Sequence, residues 1–164
     1  MRQYYTTFAT PAGRFSIAVD EAGVITGTAF GGRSALAARA KGGPLVRDDR
    51  RTAPVTKQVR AYFAGRLTKF DLSLAKAGTA FQGRVWSALR KIPFGRTRSY
   101  GQIAAAIGSP KAVRAVGSAC GANPICLIVP CHRVIGANGS LTGFAFGEAT
   151  KRHLLALESG PVIR

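Results

Sequence analysis

Acidic side chains are scarce in this chain: it holds 7 Asp and Glu against 24 Lys and Arg, which gives a formal net charge of +17. This shortage of carboxylates favours a polyanionic partner, either nucleic acid or an acidic membrane surface. The alternative is a solvated basic surface without a dedicated partner. We rank that second, because the basic residues are spread through both halves of the chain and form no single tail.

Long apolar runs and metal-binding patterns are also absent from the sequence. Residues 1–5 lack the apolar core of a signal peptide, and no segment is long enough to span a bilayer. Only two histidines occur, His132 and His153, and no two cysteines have Cys-x-x-Cys spacing. We therefore expect a soluble cytoplasmic protein that binds no membrane, no metal and no other cofactor.

Cysteine is rare too, and the three that occur lie in one short stretch, as Cys120, Cys126 and Cys131. An odd number of cysteines predicts reduced thiols. Cys131 stands in the string Pro-Cys-His-Arg at 130–133, where a nearly uncharged segment ends. Because a thiol beside an imidazole can become a thiolate, this string predicts a site of nucleophilic chemistry. Cys120 and Cys126 have no base of their own and are predicted to be packing residues.

The N-terminal part of the sequence predicts a small sheet with two helices. Residues 15–19 and 24–30 are rich in strand-forming residues and flank a turn, which indicates a hairpin. Helices are predicted over 34–41 and 52–64, the second with Pro54 near its first turn, and one more strand over 70–74. The composition then shifts, so we expect an N-terminal domain of residues 1–78 and a C-terminal domain of residues 79–164.

The C-terminal part predicts successive short helices. Thr79 with Gln82, and Ser99 with Gln102, each fit a capping box at the start of a helix. A third helix is predicted from Lys111 to about Cys120, with Ser109 as its N-cap and Pro110 in its first turn. A last helix contains His153 and is predicted to pack inward through three leucines, Leu154, Leu155 and Leu157.

The second and third of these helices, joined by a tight turn, indicate a helix-turn-helix. The third helix carries small residues around Lys111, Arg114 and Ser118, so its backbone could approach a DNA groove closely. Taken alone, such a pattern is more typical of an amphipathic surface helix. The strong positive charge and the preceding turn favour the DNA-binding interpretation.

Four strings in order now carry a resemblance to a known family: Arg-Ala-Val-Gly at 114–117, Asn-Pro at 123–124, Ile-Val-Pro-Cys-His-Arg-Val-Ile-Gly at 128–136, and Gly-x-Leu-Thr-Gly at 139–143. The chain closely resembles the O6-alkylguanine-DNA alkyltransferases, also called methylated-DNA–protein-cysteine methyltransferases. The match is strong over about 79–158 and weaker before that. The resemblance implies a mixed α/β fold with a small antiparallel-sheet, ribonuclease H-like N-terminal lobe, packed on a winged helix-turn-helix lobe.

The resemblance also implies roles for the residues around the thiol. Cys131 matches the cysteine that accepts the alkyl group irreversibly, once per molecule. His132 matches its base, which works through a bridging water, and Glu158 matches the carboxylate that orients the histidine. Asn123 matches the residue that braces the turn before the cysteine. Arg133 could meet a phosphate or tie down nearby backbone and carboxylate groups, and the sequence leaves that open.

A second set of roles concerns DNA, because an alkylated guanine must leave the base stack to react. Arg114 matches the arginine that fills the vacated space, and Tyr100 matches the tyrosine that pushes on the neighbouring phosphate. Ser109 and Lys111 are counted with the DNA contacts, made from the minor groove of double-stranded DNA. The implied substrate is O6-alkylguanine, with O4-alkylthymine as a second one, and the protein is expected to act as a monomer.

Two aromatic residues depart from the family pattern. Phe144 stands where many members have a tyrosine, so a hydrogen bond from that phenol to the departing base is absent. Phe146 stands where glycine is common, and a ring at the pocket rim should exclude bulky adducts. We therefore expect methyl transfer with poor reaction of benzyl-type substrates.

Two other functions compete with alkyl transfer as interpretations of the sequence: a lesion sensor and a thiol hydrolase. A lesion sensor of the same fold that performs no chemistry would lack an acceptor cysteine, and Cys131 argues against it. A thiol hydrolase would keep the Cys-His pair, but the basic surface and the helix-turn-helix would then have no explanation.

Overall fold

The computed structural model describes residues 2–159, which divide into two compact units. Unit 1 takes the chain up to Ala75 together with Pro124–Cys126, and unit 2 takes Lys76–Asn123 and the chain from Leu127 onward. The short return segment joins unit 1 through Thr28, whose amide donates to the Pro124 carbonyl and whose hydroxyl donates to the Cys126 carbonyl. Within residues 2–159, no helix combines the length and apolar character that a bilayer crossing needs.

Unit 1 is built on a four-stranded sheet of order β3-β2-β1-β4. The strands are β1 (Gln3–Thr10), β2 (Gly13–Val19), β3 (Ile25–Phe30) and β4 (Leu45–Arg47). The predicted hairpin is confirmed, since β2 and β3 pair antiparallel with Phe15 opposite Phe30. β1 pairs antiparallel with β2 and parallel with β4. Neither β1 nor β4 was predicted from the sequence; β4 is only three residues long, too short for an alternating pattern to show.

The helices of unit 1 are α1 (Arg33–Ala37) and α2 (Asp49–Phe63). The predicted start of the second helix at residue 52 was wrong, because the Asp48 side chain caps the helix by accepting hydrogen bonds from the Arg50 and Arg51 amides. Pro54 therefore lies inside the helix, past its first turn. Val55, Val59 and Tyr62 form its buried face.

The strand predicted over 70–74 was also wrong. This segment forms only an isolated bridge, between Leu74 and Ile25. The backbone of Asp71 instead pairs with a side chain: its amide donates to the Gln58 amide oxygen, and its carbonyl accepts from the Gln58 nitrogen. The Gln58 side chain, on α2, thus takes the polar groups that a sheet would have needed.

Unit 2 contains four helices among its described residues, α3 (Ala80–Arg90), α4 (Tyr100–Ala106), α5 (Val113–Gly121) and α6 (Glu148–Ser159). Both predicted capping boxes are confirmed, with Thr79 and Gln82 at α3 and Ser99 and Gln102 at α4. Two short strands, β5 (Arg98–Ser99) and β6 (Val134–Ile135), pair in parallel. The mixed α/β class with a sheet lobe and a helical C-terminal part is as predicted.

The start predicted for the third helix was wrong by two residues. α5 begins at Val113, and Ala112 precedes it without a side-chain cap. Ser109 belongs to the turn, where its carbonyl accepts from the Ala112 amide and its own amide donates to the Ala104 carbonyl. Gly108 makes this turn possible through its left-handed backbone, at φ +79°.

The last helix, α6, packs through a different set of residues from the one predicted. Leu154 is fully buried, as expected, but Leu155 and Leu157 are only half-buried. The other buried positions of α6 are Lys151 and Glu158, one turn on either side of Leu154. Because α6 buries a lysine and a glutamate, its buried face does more than pack against apolar side chains. Both residues belong to the site described next.

Candidate active site

Cys131 opens a short 3₁₀ turn, Cys131–Arg133, and its side chain is almost entirely buried. The Cys131 amide donates to the Val129 carbonyl at 2.8 Å, and the same carbonyl accepts from the Asn123 side-chain amide at 2.9 Å. Asn123 is buried and so fixes the chain two residues before the thiol. Within the described residues, Leu127 is the one non-glycine residue with positive φ, at 73°, which marks this approach as tightly constrained.

His132 contacts Glu158 directly, with 2.7 Å between Nε2 and Oε2, and both side chains are buried. Burial lowers the pKa of His132 below its ordinary value, and the charges of Arg133 and Lys151 act in the same direction, while Glu158 opposes them. The imidazole is therefore neutral at neutral pH, with its Nε2–H donating to the carboxylate. Nδ1 is then an unprotonated acceptor, and it is buried without a hydrogen-bond partner among the described protein atoms. That nitrogen is available to take a proton.

Arg133 is a structural part of the site. Its Nε lies 2.7 Å from Oε1 of Glu158 and its Nη2 lies 3.1 Å from Oε2. Its Nη1 donates to the Ile92 carbonyl at 2.7 Å. Of the two alternatives that the sequence left open, the structure favours the second, because the guanidinium is buried and held by carboxylate and backbone. Glu158 thus orients His132 and neutralises Arg133 at once.

Tyr100 is the first residue of α4 and is half-buried. Burial raises its pKa, and the negative charge that Cys120 or Cys131 would carry as a thiolate adds to the effect. The phenol is therefore protonated at neutral pH and can donate a hydrogen bond. It makes a long one, of 3.5 Å, to the Thr142 carbonyl, and a Cβ placed on Gly143 would lie 3.3 Å from the phenol oxygen.

The other two cysteines are also buried, and none of the three forms a disulfide. Burial, with the charge of Cys131 second, raises the pKa of Cys120 to about 12. A thiol with such a pKa is un-ionised at neutral pH and a poor nucleophile. Cys126 contacts the hydroxyl of Thr28. Both residues occupy packing positions, in keeping with the sequence-based expectation.

Three of the residues expected to contact DNA lie on α5 and the turn before it. Arg114 and Lys111 are exposed and Ser109 is half-buried, whereas Val116, Ala119 and Cys120 form the buried face of the helix. Val113, the first residue of α5, is exposed by 40%. The structure thus leaves Arg114, Ala115 and Ser118 of α5 and the preceding Lys111 accessible, as a groove-binding helix requires.

Phe144 and Phe146 lie between β6 and α6 and are both half-buried. Their rings meet edge to face, with centroids 5.7 Å apart. Among the described residues, no cluster of His, Cys, Asp and Glu is suited to hold a metal ion.

Comparison with known proteins identifies the family. The DNA-binding domain of 6-O-methylguanine DNA methyltransferase matches residues 80–160, and the ribonuclease-like domain of the same family matches residues 3–75. The chain belongs to this family. A methylated-DNA–protein-cysteine methyltransferase of Methanosarcina acetivorans is 48% identical over 155 residues, which cover 94% of this chain and 97% of the relative.

Relatives from mycobacteria and their solved structures extend this family assignment. A methylated-DNA–protein-cysteine methyltransferase of Mycobacterium tuberculosis H37Rv is 63% identical over 101 residues, or 62% of this chain and 61% of the relative. The present chain superimposes on the crystal structure of Mycobacterium tuberculosis OGT in complex with DNA with a TM-score of 0.85, and the two sequences are 46% identical. That similarity covers 95% of this chain and 92% of the solved one.

Sequence reasoning missed one residue of the site, Lys151. This side chain is fully buried, donates from Nζ to the Val134 carbonyl, and lies 5.9 Å from the centre of the Tyr100 ring. Burial lowers its pKa, and the charges of Cys131, Cys120 and Glu148 oppose that effect. A lysine that follows three exposed or half-buried residues of α6 has no sequence signal of burial.

Proposed function

We propose that this protein repairs DNA by direct reversal: it transfers an alkyl group from O6 of guanine in duplex DNA, and also from O4 of thymine, to the sulfur of Cys131. The observation that carries the proposal is the state of His132, the residue that follows this thiol in the 3₁₀ turn. His132 is neutral, its Nε2–H donates a hydrogen bond to Glu158, and its buried Nδ1 is an acceptor. Family membership and the similarity to a DNA-bound relative support the same function.

The reaction follows from these groups. The thiol proton passes to Nδ1 of His132 through a bridging water, and the thiolate attacks the alkyl carbon. A sulfur–carbon bond forms while the carbon–oxygen bond breaks, and the electron pair stays on the guanine O6. Tyr100, protonated at neutral pH, can donate a hydrogen bond to the departing base. Because the thioether product is stable, each molecule acts once.

Mass spectrometry tests this proposal directly. The protein is mixed with a duplex that carries one O6-methylguanine, digested, and the peptide containing residue 131 is weighed. We expect one added CH₂ on that peptide and a yield that stops at one methyl per protein molecule. A stable complex without mass change would instead indicate a lesion sensor, and neither complex nor mass change would favour a thiol hydrolase.

Arg114 gives the first prediction about DNA. We propose that its exposed side chain on α5 fills the space of the rotated nucleotide, because unstacking a base costs a few kcal/mol that an inserted side chain offsets. Arg114→Ala should therefore slow methyl transfer on duplex DNA by about 10- to 100-fold. The single-turnover rate constant at saturating DNA measures this effect.

A single-stranded substrate provides the matched control for Arg114, since its base needs no extrusion from a duplex. The loss should be small there. An equal loss for Arg114→Ala on both substrates would contradict the insertion role.

Lys111→Ala, which removes a proposed phosphate contact, should instead weaken the affinity for DNA and reduce the salt dependence of that affinity by about one charge.

Phe146 gives a prediction about substrate range. Its ring packs against Phe144 near the chain that leads to α6, and we propose that this pair narrows the pocket. Phe146→Gly should accelerate the reaction with O6-benzylguanine by about tenfold or more, because a single group in a pocket is worth about 1–3 kcal/mol. Methyl transfer should change little. Rapid labelling of the unaltered protein by a benzylguanine reagent would refute the proposal.

We also propose a cytoplasmic location and action as a monomer. The alkyl acceptor must be a reduced thiol, and cysteines remain reduced in the cytosol. One molecule contains all of the proposed reacting groups, on α4, the 3₁₀ turn and α6.

A further inference from the structure

The proposed reaction assigns no role to Lys151, a buried charged residue of unit 2. Lys151 has no exposed surface, and its Nζ donates to the Val134 carbonyl. Burying an ammonium costs several kcal/mol unless a negative charge compensates it. Neither carboxylate of α6 supplies that charge by contact: Glu158 binds His132 and Arg133, and the exposed Glu148 pairs with Arg152.

The groups around Lys151 identify where a compensating charge can arise. Tyr100 of α4 presents its ring at 5.9 Å, Cys120 comes from α5 and Cys131 from the 3₁₀ turn, while Glu148 lies one turn earlier on α6. Tyr100 is protonated at neutral pH, and Cys120 does not ionise there, since burial raises its pKa to about 12. Within the part of the chain that the structure describes, Cys131 is the group facing the ammonium from another element that is left to carry a negative charge at neutral pH.

The charge of the buried cluster supports the same conclusion. Arg133 and Glu158 neutralise one another, and His132 is neutral. With Cys131 as a thiol the cluster carries the single positive charge of Lys151, and with Cys131 as a thiolate it carries none. Lys151 also disfavours an imidazolium at His132, so His132 relays the thiol proton that it takes through the bridging water and does not retain it.

We propose that Lys151 is a positioning residue whose buried ammonium stabilises the Cys131 thiolate, with the Val134 carbonyl holding it in place beside the Tyr100 ring. The role deepens the proposed function and rests on Cys131 as the acceptor. No covalent step involves Lys151 itself. Its charge acts on the nucleophile before the alkyl group arrives.

The test measures the nucleophile without DNA, so that its outcome is independent of the repair assay. The rate at which iodoacetamide, a small uncharged reagent, alkylates Cys131 is followed against pH by peptide mass spectrometry. For Lys151→Met, we expect the half-maximal pH to rise by about one unit and the rate at pH 7 to fall about tenfold. Lys151→Arg, which keeps the charge, should recover part of the loss. Arg152→Met removes an exposed cation one residue away and should leave the profile unchanged.

A second measurement keeps the proposal testable if Lys151→Met does not fold. Because charge coupling is reciprocal, Cys131→Ser must lower the pKa of Lys151 relative to the unaltered protein by the same amount that the ammonium favours the thiolate. The side-chain carbon resonance of Lys151 in NMR reports this titration. An unchanged pH profile in folded Lys151→Met, or an unchanged Lys151 titration in Cys131→Ser, would overturn the proposal. Loss of methyl transfer with a normal iodoacetamide profile would count against the repair function alone.

Discussion

Cys131→Ser is expected to abolish alkyl transfer, with a rate at least about 10⁴-fold below that of the unaltered protein. The reason is chemical: a serine hydroxyl ionises far less readily than a thiol, and its oxygen is the weaker nucleophile towards a saturated carbon. The substitution keeps the size of a buried side chain, so the fold should persist. Single-turnover assays on an O6-methylguanine duplex, with peptide mass spectrometry, measure the loss.

Cys120→Ser is the matched control for this experiment. Cys120 is another buried thiol of unit 2, but burial raises its pKa to about 12 and it has no adjacent imidazole. Its replacement should change the transfer rate by no more than about twofold to threefold. Methyl found on residue 120, or transfer that survives in Cys131→Ser, would show that the acceptor has been misassigned.

Local signals in the sequence predicted local structure well. The capping boxes at Thr79 and Ser99 start α3 and α4 where expected, because each box satisfies backbone groups within a few residues of itself. The hairpin of β2 and β3 follows from two strand-forming runs around a tight turn. These signals need no knowledge of the rest of the chain.

Predictions failed where two local options competed. Ser109 and Pro110 have the right residue types for a helix start, yet they form the turn before α5, because the Ser109 amide is already bonded to the Ala104 carbonyl. The segment 70–74 alternates like a strand, but Gln58 takes the backbone groups of Asp71. Asp48 caps α2, so the helix begins before the predicted start at residue 52. In each case hydrogen bonds to one residue decided between structures of similar propensity.

The site itself was predictable only in part. Cys131 and His132 are neighbours in sequence, so their chemistry could be inferred from one string. Glu158 lies 26 residues from His132, and only the family resemblance pointed to it. The roles of Arg133 and Lys151 depend on contacts across 25 and 17 residues, to Glu158 and to the Val134 carbonyl. No spacing rule encodes such contacts, because they arise when α6 packs against the 3₁₀ turn.

Glu158 is where the greatest loss of stability is expected. Its carboxylate accepts from Arg133 at 2.7 and 3.1 Å and from His132 at 2.7 Å, all within a buried cluster. Glu158→Gln leaves the Arg133 cation buried without its counter-charge and turns two amide hydrogens towards groups that are themselves donors. Removing one partner of a buried ion pair costs about 3–5 kcal/mol, so the free energy of unfolding should fall by that amount. Denaturant-induced unfolding measures it.

Glu148→Gln is the matched control on the same helix. Its carboxylate pairs with Arg152 at 3.0 Å, but both side chains are more than half exposed, and such pairs contribute about 1 kcal/mol or less. The two variants make the same chemical change, so a difference between them isolates burial. Arg133→Met combined with Glu158→Gln should recover part of the stability lost in Glu158→Gln, because the uncompensated cation is then gone. Equal effects of Glu158→Gln and Glu148→Gln would contradict the assignment of Glu158 as the residue that neutralises Arg133 and orients His132.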